Sequence, residues 1–212
     1  MESVVATIAL TMGVAWASGI NLYAAILTLG ILGSTGNITL PPGLEILTHP
    51  MVIGAAGVMY FVEFFADKIP GVDTAWDTVH TFIRIPAGAI LAAQAVGDVS
   101  APAELTAALL GGTLAAGAHA TKAGGRALIN TSPEPFTNWT ASVAEDVAVV
   151  AGVWAAVAHP WVFLVALAVF ILFMAWILPK IWRTIAAMFR AIGRFLRGER
   201  STSASAPPPA RP

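Results

Sequence analysis

Between Tyr60 and Arg84 the sequence YFVEFFADKIPGVDTAWDTVHTFIR holds Glu63, Asp67, Lys68, Asp73, Asp77, His80 and Arg84, in a chain of which only 11% is charged. Carboxylates and an imidazole at this density can pass protons, hold a small cation or polar solute, or pair with the neighbouring cations. Glu63 and Asp67 are four apart and share one helix face. Asp73, Asp77, His80 and Arg84 follow at steps of four, three and four and share another. Glu63 is the candidate protonatable centre, because VMYFVEFF surrounds it with bulky apolar side chains. Burial there would strip its hydration, and a contact with Lys68 or Arg84 would offset that cost by pairing. The sequence leaves both outcomes open.

Further polar residues stand apart from this hairpin. Asn21 and Tyr23 interrupt the first apolar stretch, and together with the hairpin they make up the expected proton or solute site. In the second half His119, Lys122 and Arg126 share a helix face, and Glu145 and Asp146 open the following apolar run. The plain alternative is a salt-bridged rim whose charges cap helices and hold the hairpin closed. No HExxH pair accompanies the scattered histidines, so neither a metal site nor a cofactor is expected. There is no phosphate-binding Gly-rich loop, no dinucleotide fingerprint and no G-x-S-x-G elbow. The chain has no cysteine, which excludes disulfides and thiolate chemistry.

The elements that must position these groups are membrane helices. The 212 residues are 57% hydrophobic, and the mean hydropathy of +0.77 is far above that of a soluble domain. The fold class expected is all-α, a polytopic helix bundle of about six spans. Apolar runs lie at 3–33, 50–66, 74–96, 102–128, 142–158 and 161–178, with turn-rich loops at 34–49 and 130–140. The first run is longer than one untilted span requires. It reads as a single tilted helix or as a helix broken near Gly19 that turns Asn21 and Tyr23 inward. Its lack of a basic leader makes it an uncleaved first helix rather than a signal peptide. Gly111, Gly112, Gly117, Gly124 and Gly125 in the fourth run allow close backbone approach.

The expected membrane domain covers residues 1–179. Segments 3–97 and 102–178 are candidate inverted three-span repeats, since Gly19-Ile-Asn and Gly117-Ala-His occupy matching places. After Pro179, residues 180–198 read as a separate basic amphipathic helix on the membrane surface. Lys180, Arg183, Arg190, Arg194 and Arg197 would meet anionic lipid head groups there. Residues 199–212 read as a disordered tail. With six spans, every Lys and Arg falls on one half of the bundle, which orients both termini to the cytoplasm of a cell-membrane protein.

SGINLYAAILTLGILG followed by VEFFADKIPGVDTAWDTVHTFIRIPAGAIL resembles DUF4126, a family of bacterial multi-pass membrane proteins. The likeness covers roughly residues 10–160. It rests on G-x-N-x-Y at 19–23 and, more specifically, on E-x-x-x-D-K-x-P-x-x-D-x-x-W-D at 63–77. The resemblance implies an integral membrane domain built around these polar residues, and no activity. Its basic helix and Pro-rich tail lie beyond the family core.

The leading expectation is a small transporter or pore for a polar solute or ion, coupled to protons through Glu63. A membrane scaffold or lipid-interacting protein with a structural charge cluster is the alternative, and an intramembrane lipid-modifying enzyme is a third reading. Partners expected are membrane lipids and a second copy in a homodimer, with no nucleic acid.

Overall fold

The computed structural model describes residues 2–69, 71–131 and 135–196. They form six α-helices: α1 (Glu2–Ser34), α2 (Pro50–Ala66), α3 (Val72–Ala95), α4 (Ala101–Ile129), α5 (Pro135–Ala158) and α6 (Pro160–Leu196). A short 3₁₀ helix, Pro42–Thr48, lies between α1 and α2 within the stretch expected to be loop. Among the described residues there is no strand.

By length and hydropathy α1, α5 and α6 can each cross a membrane, and the 3₁₀ helix with α2, bent by 69°, adds a fourth if the pair crosses as one. Helices α3 and α4 fall short because they carry the charges. Asp73, Asp77, Arg84, Lys122 and Arg126 point inward, while Val79, Phe82, Ile90, Leu105 and Leu109 face out. A polar interior under an apolar surface is the distribution a lipid environment imposes.

Helix α1 is not one straight rod. Asn21 has φ −146° and ψ 96°, outside the helical region. Its Oδ1 accepts from Ala24 N at 2.9 Å, so Asn21 caps a second half-helix that starts there. The two halves run in opposite senses. In the first, Thr7 shares a cavity with Leu40, Ala95 and Val157, Gly13 faces Ala156, and Ser18 Oγ donates to the Arg84 carbonyl at 2.9 Å. In the second, Tyr23 lies beside His80, Gly30 faces Leu47 and Ile53, and Gly33 is back at Leu40 and Thr48.

The chain therefore enters about 20 Å from Thr7 to Asn21 and returns to the end it started from. The non-helical backbone at Asn21 answers to the break expected near Gly19. Helices α2 to α6 run between the two ends, and the two halves of α1 pack among them. Hydropathy could not reveal this, because it does not register direction. Helix α4, the proposed counterpart of α1 in a repeat, is unbroken.

Two further boundaries differ from expectation. Helix α5 begins at Pro135 rather than near 142, since proline suits a first turn where its missing N–H is not needed. Helix α6 continues through Pro179 to Leu196. The basic segment is thus the far end of a rod about 55 Å long, not a separate helix. Ile181 packs at Gly124 on α4 beyond that proline. Arg197 and the tail lie outside the described residues.

Close packing around α1 depends on glycine and alanine. A Cβ at Gly111 would fall on Ala92 Cβ and within 3.3 Å of Ala15 Cβ, at the junction of α1, α3 and α4. Gly111→Ala should lower the stability of the detergent-purified protein by about 1–3 kcal/mol through overpacking. Gly54→Ala on α2 meets no atom within 4 Å, and should be neutral or gain up to about 1 kcal/mol from helix propensity. Thermal melts of both variants check the contrast.

Candidate functional site

The charged faces of α2, α3, α4 and α5 meet in one buried network. Arg84, with no exposed surface, donates from Nη2 to Glu63 Oε1 at 2.5 Å and from Nη1 to Asp77 Oδ1 at 2.9 Å. Lys122 Nζ sits 3.3 Å from Glu63, 3.0 Å from Asp67, 3.7 Å from Asp77 and 3.6 Å from Glu145. Arg126 holds Glu145 with both Nη2 (2.8 Å) and Nε (3.1 Å), and lies 3.6 Å from Asp67. Its Nη1 also donates to the Asp67 carbonyl and to the backbone and side-chain oxygens of Asn138.

Helical spacing explains why these groups converge. Asp77 and Arg84 are two turns apart on α3, Lys122 and Arg126 one turn apart on α4, and Glu63 and Asp67 one turn apart on α2. Glu63 resolves in favour of pairing. It is fully buried, and its partners are Arg84 and Lys122. Lys68 instead donates to its own helix at Phe64 O and approaches Ser142.

The network is not balanced. Glu63, Asp67, Asp77 and Glu145 supply four carboxylates against the three cations Arg84, Lys122 and Arg126. Glu63 Oε2, Asp67 Oδ1 and Asp77 Oδ2 are buried without a hydrogen-bond partner. Such oxygens are costly when dry, so the arrangement has capacity for a further proton, cation or donor.

Both histidines are held through both ring nitrogens. His119 Nδ1 faces the Arg84 guanidinium at 3.3 Å, and its Nε2 lies 2.7 Å from Thr81 Oγ1. His80 Nδ1–H donates to the Trp76 carbonyl at 2.9 Å, and its Nε2 lies 3.1 Å from the Tyr23 hydroxyl. His80 also stacks on Trp76, and it lies outside the ion network.

The remaining expected residues are placed separately. Asn21 Nδ2 donates to Asp146 Oδ1 at 2.9 Å, tying the break in α1 to α5. Asp73, in the first turn of α3, is fully buried. Its carboxylate accepts from Gly71 N, Thr74 N and Asn130 Nδ2, joining the start of α3 to the end of α4. On α6, Lys180, Arg183, Arg190 and Arg194 are exposed and take no part in the network.

Asn130, Asn138, Ser18 and Thr81 are contributors that sequence reading missed. Asn130 carried a signal as a polar residue closing a helix. Asn138 carried none, because residues 130–140 read as loop. Among the described residues no group of three His, Asp or Glu side chains is arranged to hold a metal ion.

Removing one partner from such a network strands the others. Glu63→Gln should destabilise the purified protein by about 3–5 kcal/mol, and Arg84→Met by a similar amount. The double variant Glu63→Gln/Arg84→Met should recover part of the loss. Asp73→Asn removes a cap contact and should cost only about 1 kcal/mol. Chemical denaturation in mild detergent compares the four.

Comparison with known proteins adds one finding. Residues 8–180 match the family model described as Domain of unknown function (DUF4126), ending where the basic segment of α6 begins. No curated protein and no solved structure matches the chain. The chain thus belongs to the DUF4126 family.

Proposed function

We propose that this protein is a small membrane transporter for a polar solute or ion, coupled to protons through the buried network around Glu63. The supporting observation is the charge imbalance: four carboxylates face three cations, and three carboxylate oxygens are without partners. Ionisable groups are expensive at membrane depth. A purely structural network would be expected to close its own charge and satisfy its own oxygens. The broken span supports the same reading, because irregular backbone at membrane depth is tolerated where it lines a binding region.

A second reading, a structural scaffold, draws support from one fact: Glu63 and Arg84 have no exposed surface. The two differ in outcome. In proteoliposomes carrying a pH-sensitive dye, transport predicts proton movement driven by a gradient of a translocated solute. Asp67→Asn, which removes one charge from the network, should reduce that flux at least tenfold while the protein remains folded. A folded wild type with no flux across a screened panel of ions and small solutes would leave the scaffold.

The orientation proposed is five crossings, α2 to α6, with α1 re-entering from the face opposite the basic end of α6. Lys68, Lys122, Arg126 and the α6 cations then lie toward the cytoplasm of a cell membrane. The start of α1 lies on the other face, contrary to the expectation that both ends share a side. Single cysteines at Ser3, Ser34 and Ser100 in the cysteine-free chain should label from outside intact cells, and one at Thr131 should not. Protection of Ser3 with labelling of Ser34 would restore a full crossing by α1.

A further inference from the structure

We infer that Glu145 is the latch of the buried network: its carboxylate swings off Arg126 and lets water, and with it protons, reach the other charges. This names the entry to the same network and rests on the transport reading.

Exposure singles this residue out. The side chains of Glu63, Asp67, Asp77, Arg84, Lys122 and Arg126 are between 0% and 3% exposed, whereas that of Glu145 is 21% exposed. A carboxylate is not left open against acyl chains, so the open side of Glu145 is aqueous. Its place agrees with that. Arg126 lies one turn from the end of α4, and Lys68 approaches Ser142, one turn before Glu145 on α5.

The charges around Glu145 permit its release. It accepts from Arg126 Nη2 at 2.8 Å and Nε at 3.1 Å, and it stands 3.6 Å from Lys122. Asp67 of α2 lies behind Arg126, and Asp146, next to Glu145 on α5, turns instead to Asn21. Water screens an exposed pair, so this contact is weaker than the dry pair of Arg84 with Glu63. Loss of any one carboxylate would balance the network at three against three, but of the four Glu145 alone has an open side to leave by.

Space for the water adjoins it. A cavity of about 180 Å³ is lined by Thr121, Lys122 and Arg126 of α4, Glu145, Ile20 of α1 and Phe170 of α6. At about 30 Å³ per molecule it has room for several waters. Opening the Glu145–Arg126 pair joins it to Lys122 Nζ, which contacts both Glu63 and Asp67.

The test uses Thr121→Cys in the cysteine-free chain. Thr121 lines this cavity and bonds only to its own helix, at Gly117 O. The probe is 2-hydroxyethyl methanethiosulfonate, which is water-soluble and neutral, so loss of the Glu145 charge does not itself attract it. In the detergent-purified full chain the probe should modify Thr121→Cys. Adding Glu145→Gln, which keeps the side-chain shape and removes the charge, should speed that reaction at least tenfold. Ser18→Cys, at a position with no exposed surface that bonds to the Arg84 carbonyl, should stay unmodified in both backgrounds. No modification of Thr121→Cys, an unchanged rate with Glu145→Gln, or a matching gain at Ser18→Cys, which marks general loosening, would each overturn the inference. Solute flux with Thr121→Cys closed to the probe would sink the latch and leave transport standing. Faster probe entry with Glu145→Gln but no flux of any solute would do the reverse.

Discussion

Arg84 is the residue on which the bundle turns. It has no exposed surface and holds Glu63 of α2 and Asp77 of its own helix, while it also faces His119 of α4. In a chain whose outer surface is leucine, valine and phenylalanine, the apolar residues do not discriminate inside from outside, since lipid is as apolar as a core. The interior is specified by what cannot face lipid. Glu63, Asp67, Asp77, Arg84, Lys122 and Arg126 must all turn inward, and only one rotation of each helix satisfies them together. The ion network therefore sets the rotation of α2, α3 and α4 about their axes. Glycine and alanine then decide how closely those helices approach.

The broken helix follows from the same constraint. With charges filling the half of the bundle near Lys68 and Asn130, the opposite half needs apolar filling between α2, α3 and α5. The two halves of α1 supply it, with Leu29, Ala25, Ala15 and Ala17 all nearly fully buried. A straight helix of the same length would drive its second half through the charged layer. The turn at Asn21 avoids this, and the side chain that makes the turn also satisfies the freed backbone at Ala24 and reaches Asp146.

Sequence reading recovered what is local and missed what depends on direction or distance. Helical steps of three and four put Asp77, His80 and Arg84 on one face, and the structure keeps all three buried. The same logic grouped His119, Lys122 and Arg126. The partners across helices were not legible: Glu63 was weighed against Lys68 and Arg84, while Lys122, equally close to the answer, lies 59 residues away. Two boundaries at prolines were placed wrongly: residues 130–140 were read as loop and Pro179 as the end of the last span, yet Pro135 sits in a first turn and α6 accommodates Pro179 within a long helix packed on its neighbours. The break in α1 had a visible signal in Gly19-x-Asn21, but no hydropathy profile distinguishes a return from a crossing.

The strengths of these contacts rank the parts of the molecule by how readily they move. Helices α2, α3, α4 and α5 are joined by buried ion pairs, and separating one partner from such a pair costs several kcal/mol. The second half of α1 is held at network depth by single hydrogen bonds, Asn21 to the Asp146 carboxylate and Tyr23 to His80, each worth about 1–3 kcal/mol. Two cavities adjoin it: one of about 450 Å³ lies between Thr28, Leu32 and α5, and another of about 300 Å³ between Tyr23, Ile26 and α2. A displacement of this half-helix about Asn21 would break few strong interactions. It would also part Tyr23 from His80, which stays on α3 with Arg84.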